Sequence, residues 1–240
     1  MNEQGIIAQF DGYFDLLELD WEYYRKKYTN IYRMDRILKA EGKSPDDYKV
    51  AKQADTLMTF YNLTKKEVDT LLHTLGYKMP LDYIEKNLRY YLARTSHGST
   101  LSRVVHARLA AMAGDSELSW KLYQEALASD YVDIQGGTTA EGIHTGVMAG
   151  TVLLALTTYA GINYREKYLS LTPDLPKQWK KMSFNIHFKQ IEYRFQLEQD
   201  RIKVRPEKEV VLVLNQQQYS LTANQWNELK ITSKPRINDK

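Results

Sequence analysis

The sequence contains no cysteine, and this absence excludes disulfide frameworks and Cys-ligated metal sites. Long apolar runs are absent as well, because the most apolar stretch, residues 146–156, is too short and too interrupted to span a bilayer. Residues 1–14 have no basic segment followed by an apolar one, so we expect no signal peptide. These absences predict a cytoplasmic protein that does not contact a membrane.

The sequence also lacks a large excess of charge of either sign. The 33 lysine and arginine residues nearly balance 30 aspartate and glutamate residues, which leaves a net charge of +3, and no basic run is longer than three residues. Nucleic-acid-binding domains usually have a basic stripe. We therefore expect no nucleic-acid partner.

Phenylalanine is scarce, with 6 residues, whereas tyrosine and tryptophan number 18 and 4. Aromatic side chains with a polar edge can stack on pyranose rings and also donate hydrogen bonds, as a sugar-binding cleft requires. Tyrosine also populates half-buried helix faces, and composition alone favours that simpler interpretation.

Apolar residues recur with a helical period through the first two-thirds of the chain. Gly76 and Gly114 follow two of these segments and are typical of helix C-termini. One long segment is apolar almost all round, which predicts a buried helix. The predicted helices span residues 32–40, 50–63, 65–75, 80–92, 99–113, 116–128 and 139–159. Their short connections predict an array of helical hairpins.

After residue 168 the period shifts toward two, which is typical of strands. Pro173 and Pro176 prevent a helix from continuing into this region. The predicted strands include residues 182–188, 191–197, 202–204, 210–214 and 218–221. The sequence thus predicts a mainly α protein with a small antiparallel β-domain of five to seven strands, divided into residues 1–165 and 166–240.

Two segments rich in glycine and hydroxyl groups each lead into a predicted helix, at residues 96–100 (SHGST) and 135–144 (QGGTTAEGIH). Free backbone N–H groups and the positive end of the helix dipole favour an anion such as phosphate there, and each segment also brings a histidine. The alternative is that the Ser and Thr residues are plain N-caps, which local sequence alone favours. Neither segment is a P-loop or a dinucleotide fingerprint.

A third segment, Lys52-Gln-Ala-Asp55, offers donors that can bind sugar hydroxyls. We place Lys52 and Gln53 just inside the start of a predicted helix, and we expect Asp55 to be a structural partner. A Lys-Gln pair alone is weak evidence, since most such pairs are solvated.

Taken together and in this order, these segments resemble glycoside hydrolase family 65, the maltose, trehalose, trehalose-6-phosphate and kojibiose phosphorylases. The resemblance covers essentially the whole chain. It also includes residues 5–14 (GIIAQFDGYF), 33–40 (RMDRILKA), 97–102 (HGSTLS) and 169–179 (LSLTPDLPKQW). The ordered set is specific, although each motif alone is not.

The resemblance implies half of an (α/α)6 barrel followed by a small β-sandwich domain, with the active site formed by loops at one mouth of the barrel. It implies that Lys52 and Gln53 contact the glucosyl unit, and that Ser99, Thr100 and His144 hold the attacking phosphate. The implied reaction is inverting phosphorolysis of an α-glucosyl disaccharide to β-glucose 1-phosphate. Disaccharide and phosphate are the expected partners, with no cofactor and no metal.

The resemblance also implies that the catalytic acid is a glutamate upstream of the stretch that begins here at residue 5. We therefore expect no catalytic residue in this chain, with Glu3 and Glu141 as candidates only by default, and no activity from the isolated chain. His97 is expected to shape its loop. The alternatives are a hydrolase of the same barrel class and a non-catalytic carbohydrate-binding fragment.

Half a barrel would expose a concave surface lined by apolar and aromatic side chains, and such surfaces usually find a partner. We therefore predict that the isolated chain self-associates and that the intact parent is a homodimer. The tyrosine-rich residues 20–32 are expected to lose most of their packing and to become mobile.

Overall fold

The computed structural model of the chain describes residues 1–132 and 142–231. The chain divides into two compact units between Thr151 and Val152, the first helical and the second rich in strands. The expected order, a helical region followed by a small β-domain, is confirmed. The domain boundary between residues 165 and 166 stays a prediction.

Eight α-helices lie in the described residues, and their ends follow the sequence signals. Thr64 begins the fourth helix with a capping box that includes Glu67, while Gly76 and Gly114 follow helix ends with φ of +80° and +82°. The helices are α1 Trp21–Lys27, α2 Met34–Ala40, α3 Leu57–Asn62, α4 Lys65–Thr74, α5 Tyr83–Leu92, α6 Thr100–Met112, α7 Ser116–Ala128 and α8 Thr145–Leu154. Helices α6 and α7 follow each other after a short turn at Gly114, as the predicted hairpins require.

Two predicted helices differ from the structure. The segment 50–63 is helical only in α3, so Lys52 and Gln53 lie in the loop before the helix and not inside it. The segment 139–159 continues from α8 into a π-helical turn, Ala155–Tyr159, and its first residues, 139–141, lie outside the described residues. The expectation that this segment is buried all round was wrong, because Val152 and Leu153 are 62% and 41% exposed.

The helical unit packs around two separate apolar clusters. The larger one joins α3, α5 and α6 through side chains that are almost completely buried, including Phe60, Leu88, Tyr91 and Leu109. The smaller one is formed by Leu19, Tyr24, Met34 and Leu38, so α1 and α2 pack on each other. No helix in the described ranges is both long and apolar enough to cross a membrane.

The second unit contains two four-stranded sheets, in the orders β1-β2-β6-β7 and β3-β4-β5-β8. All described strand pairs are antiparallel except β2 with β6, which run parallel, so the β-domain is largely antiparallel, as predicted, with one parallel pair. The strands are β1 Ile162–Asn163, β2 Leu169–Leu171, β3 Met182–Phe188, β4 Ile191–Leu197, β5 Arg201–Pro206, β6 Val210–Leu214, β7 Gln217–Leu221 and β8 Asn227–Lys230. Strands β1, β2 and β8 were not predicted, since they are two to four residues long.

Candidate active site

An open cleft of about 480 Å³ lies in the helical unit. Three of the five predicted site residues line it: Lys52, Gln53 and Ser99. Its lining consists of Gln9, Phe10, Val50, Ala51, Lys52, Gln53, Asp55 and Ser99. Three segments that are far apart in the sequence therefore meet at one surface.

Backbone hydrogen bonds join two of these segments. The Ala51 N–H donates to the Arg94 carbonyl at 2.9 Å, and the Ser96 N–H donates to the Ala51 carbonyl at 2.8 Å. This short parallel bridge brings Lys52 beside Gly98. A Cβ atom at Gly98 would lie 3.0 Å from Lys52 Cγ and 2.4 Å from the Tyr32 carbonyl oxygen, so only glycine permits this approach.

The N-terminal segment is fixed to α5 by side-chain hydrogen bonds. Buried Asn87 accepts from the Ile7 N–H at 2.9 Å and donates to the Gly5 carbonyl at 2.9 Å. The Tyr91 hydroxyl donates to the Ile7 carbonyl. These bonds hold the first ten residues along the helix and lead the chain to the cleft.

Gln9 and Phe10 reach the cleft from this segment, and the sequence interpretation gave them no role. The Gln9 side-chain oxygen, Oε1, accepts from the Asp55 N–H at 3.0 Å, and the Asp55 carboxylate accepts from Gln53 Nε2 at 3.1 Å. Asp55 is thus a structural partner, as expected. The available signal for Gln9 and Phe10 was their place in the family-like stretch at residues 5–14.

Ser99 is the residue before the first turn of α6, but its side chain makes no capping hydrogen bond. By contrast, Asp20, Thr64 and Asp115 each accept from a backbone N–H at the start of α1, α4 and α7. The Ser99 side chain therefore does not act as an N-cap, which was the alternative to a phosphate ligand. The first N–H groups of a helix have no intrahelical acceptor, so this 13-residue helix presents donors and its positive end near Ser99.

A buried arginine fixes the loop that precedes α6. Arg103 is fully buried and donates from Nε to the Glu125 carboxylate at 3.0 Å, which ties α6 to α7. Its Nη1 donates to the His97 carbonyl at 3.3 Å, and its guanidinium lies 4.9 Å from the centre of the Tyr32 ring. His97 adopts a left-handed conformation, φ +54°, in the residue before Gly98. The expectation that His97 shapes the loop agrees with these contacts.

His97, which is half-buried, and His106, which is buried, form a pair below the loop, with ring centres 4.9 Å apart. Ser102 Oγ lies 2.9 Å from His97 Nδ1, and His106 Nδ1 lies 2.8 Å from the Ser102 carbonyl. Burial, with smaller contributions from His106 and Arg103, lowers the pKa of His97 to about 3. Burial also lowers the pKa of His106 to about 4. Both rings are therefore neutral at pH 7.

The other two predicted phosphate ligands do not line the cleft in the described part of the chain. The Thr100 side chain is buried, 4% exposed, at the first position of α6. His144 Nδ1 lies 2.6 Å from one oxygen of the Asp130 carboxylate, while the His144 N–H donates to the other oxygen at 2.7 Å. Asp130 thus fixes the orientation of the imidazole. Residues 135–141, including Glu141, lie outside the described residues.

Two family models match the chain, and together they cover most of it. Residues 1–153 match the glycosyl hydrolase family 65 central catalytic domain, and residues 162–221 match the family's C-terminal domain. The chain belongs to glycosyl hydrolase family 65. The resemblance deduced from the ordered motifs is therefore confirmed.

Curated members of family 65 include trehalose 6-phosphate phosphorylase of Lactococcus lactis, which is 48% identical over 189 residues, 79% of this chain and 25% of that protein. Kojibiose phosphorylase of Halothermothrix orenii is 26% identical over 205 residues, 84% of this chain and 24% of that protein. A solved structure of a human-microbiome protein assigned as a kojibiose phosphorylase superposes with a TM-score of 0.72 at 23% identity, covering 98% of this chain and 32% of the other. The chain thus spans about a quarter of these curated relatives.

Proposed function

We propose that this chain forms part of an inverting disaccharide phosphorylase, which cleaves an α-glucosyl disaccharide with inorganic phosphate and releases β-glucose 1-phosphate. The observation that supports this most is the meeting of Lys52 and Gln53 with the uncapped N-terminus of α6 at Ser99 in one cleft. Such a cleft offers donors for sugar hydroxyls on one side and an anion site on the other.

In this proposal the two sides of the cleft have different tasks. The Lys52 ammonium and the Gln53 amide donate to hydroxyls of the glucosyl unit. Ser99 and the first N–H groups of α6 orient the phosphate for attack on the anomeric carbon. An inverting hydrolase needs a carboxylate to activate water, whereas phosphate is already a competent nucleophile, so that second carboxylate is not required.

Thr100 and His144, which do not line the cleft, are the other phosphate ligands in this proposal. Thr100 contributes its backbone N–H, since its side chain is buried. His144, oriented by Asp130, donates to a phosphate oxygen. The general acid is expected upstream of these residues, as in the family, and the helices described here would form half of an (α/α)6 barrel in a dimeric parent.

A phosphate titration of the full chain tests the anion site. We expect the amide resonances of Thr100 and Leu101, and the ring resonances of His144, to shift with phosphate. Lys52→Gln should weaken binding about tenfold, equivalent to about 1.4 kcal/mol, because it removes the cation next to the site. Lys66→Gln, at an exposed position of α4, should bind like the parent chain.

If no resonance shifts up to roughly 50 mM phosphate, the binding free energy is smaller than about 2 kcal/mol. That result would contradict the anion site and favour the hydrolase alternative. Release of glucose 1-phosphate from maltose, trehalose and their 6-phosphates is the matching activity measurement. We expect no turnover from this chain alone, and robust turnover would place the proton donor within these residues. Binding of sugar without binding of phosphate and without turnover would support the non-catalytic alternative.

A further inference from the structure

An open cleft of about 600 Å³ in the β-rich unit plays no part in the proposed reaction. It opens where strands of both sheets end, at the beginning of β2 and β6, the end of β7 and the turn between β3 and β4. Its lining residues are Lys167, Tyr168, Leu169, Phe188, Lys189, Ile191, Tyr193, Glu209, Val210, Val211, Ser220, Leu221 and Thr222. Aromatic and hydrogen-bonding side chains therefore meet in a concave site.

Three aromatic rings form the apolar part of this β-domain cleft. Tyr168 and Phe188 are half-buried, while Tyr193 is 3% exposed and belongs to the floor. Aromatic faces of this kind pack against the C–H groups of a pyranose ring, and a tyrosine adds a hydroxyl at its edge. Lys167 Nζ lies 5.1 Å from the centre of the Tyr168 ring, and Lys189 Nζ lies 5.1 Å from the centre of the Phe188 ring, so a sugar would stack on the ring faces that the two lysines leave open.

The polar part of the cleft supplies both acceptors and donors. Glu209, Ser220 and Thr222 are exposed at its rim, so a carboxylate and two hydroxyl groups lie close to the aromatic rings. A carboxylate accepts hydrogen bonds from two neighbouring sugar hydroxyls, and Ser and Thr can either donate or accept. Lys167 and Lys189 also line the cleft, so two cations and one carboxylate leave a net charge of only +1 there, which selects weakly between neutral and charged ligands.

A hydrogen bond and a tight turn join two sides of the cleft without a ligand. Lys189 Nζ donates to the Lys167 carbonyl at 2.6 Å, which ties the β3–β4 turn to the segment that enters β2. The turn itself has Lys189 and Gln190 in left-handed conformations, with φ of +50° and +62°, as in the tightest hairpins. A pre-formed site loses less conformational entropy on binding than a flexible one.

We propose that this β-domain cleft is a second carbohydrate-binding site, which takes a neutral pyranoside: the sugar ring stacks on Tyr168 and Phe188, and its hydroxyls bind Glu209, Ser220 and Thr222. The site is separate from the proposed phosphorylase reaction and does not depend on it. Binding here would hold a glucoside on the protein without cleaving it.

The experiment is a titration of the full chain with maltose, trehalose and methyl α-glucoside, followed by backbone NMR. Shifts are expected at residues 167–169, 188–191, 209–211 and 220–222. Tyr168→Ala should weaken binding at least about tenfold, since it removes the stacking face. Tyr168→Phe should keep most of it. Tyr164→Ala, 53% exposed outside the cleft lining, is the matched control and should bind like the parent chain.

Glu209→Gln is a second variant. Because Glu209 is exposed, we expect the variant to fold like the parent chain. It should weaken binding about fivefold, since a charged hydrogen-bond acceptor is lost. Shifts confined to residues near Lys52 and Gln53 would overturn the proposal, as would unchanged affinity in both Tyr168→Ala and Glu209→Gln. The proposal that the ligand is neutral would be overturned if glucose 6-phosphate bound more tightly than glucose and if Lys167→Gln removed this difference. Failure of the phosphate titration at Ser99 would leave these outcomes unaffected, so the two proposals fail separately.

Discussion

The neutral histidines below the α6 loop connect stability to pH. In the unfolded chain a histidine has a pKa of about 6.5, whereas in the folded chain the pKa is about 3 for His97 and about 4 for His106. The folded state therefore binds fewer protons below pH 6.5. The free energy of unfolding is therefore unaffected by these rings above pH 6.5, and it decreases as the pH falls from 6.5 toward 4.

We accordingly expect the free energy of unfolding to fall between pH 7 and pH 5, by about 2 kcal/mol for each of these two histidines. Urea unfolding at several pH values measures this dependence. His106→Gln should remove part of the slope, although its stability at pH 7 also falls. His73→Gln, at an exposed position of α4, should leave the slope unchanged, and equal slopes in both variants would contradict the assignment.

At the residue scale, the sequence identified candidate site residues where these belong to short local motifs. Lys52, Gln53 and Ser99 were selected from the order of short segments, and the structure brings them to one cleft. The contact of Arg103 with Glu125 and the His97 carbonyl could not be predicted, because it depends on how two helices pack. The placements of Thr100 and His144 as phosphate ligands stay predictions.

At the scale of elements, one carboxylate adds polar contacts to the apolar packing of α1 on α2. Glu41, directly after α2, accepts from the Tyr24 and Tyr28 hydroxyls at 2.8 Å each. Lys27 and Lys43 also donate to it, and the hydrogen bond from Lys27 is the largest cause that lowers the pKa of Glu41. This cluster is the main polar link between the two short helices in the described contacts.

We expect Glu41→Gln to speed hydrogen exchange across α1, because a neutral amide cannot accept charge-assisted hydrogen bonds from both lysines. Exchange measured by mass spectrometry at pH 7 should rise about tenfold in α1. Glu22→Gln, exposed on α1, is the control and should have little effect. Unchanged exchange in Glu41→Gln would show that apolar packing alone fixes the helix.

The same measurement tests the expectation that residues 20–32 are mobile, and slow exchange in the parent chain would contradict it. The sequence did not predict α1, since its seven residues contain three aromatic and three basic side chains without a clear apolar period. Tyr24 becomes buried only when Met34 and Leu38 pack against it. Tertiary packing, which a local pattern does not contain, thus decides this element.

At the scale of the whole molecule, large apolar side chains cluster in sequence around the end of α4. Leu71, Leu75 and Tyr77 are 50%, 68% and 46% exposed, and Leu81 is 94% exposed. Exposed apolar patches usually find a partner. The predicted self-association is not tested by the structure, but these residues are where it can be disrupted.

We expect the purified chain to associate as its concentration rises, and the double variant Leu75→Lys with Leu81→Lys to shift association to at least about tenfold higher concentration. Light scattering across a concentration series measures the change. Leu17→Lys, 59% exposed on a different segment, is the matched control. A parent chain that stays monomeric at every concentration would contradict the prediction.

The order of a helical part and a β part was predictable because the apolar period changes once along the chain. The sheet arrangement was not, since β2 has three residues and its partner β6 lies about forty residues later. No local pattern specifies such a pairing. Closure of the helices into half a barrel stays a prediction for the same reason.

The parallel pairing of β2 with β6 also sets an order of events during synthesis. Strands β3, β4 and β5 pair with neighbours that emerge from the ribosome in succession, so their sheet can begin to form at once. Strand β2 can pair with β1 as soon as both are made, but its other edge must wait until β6 has been made. During that interval this second edge is unpaired, and the nascent chain is exposed to misassembly there.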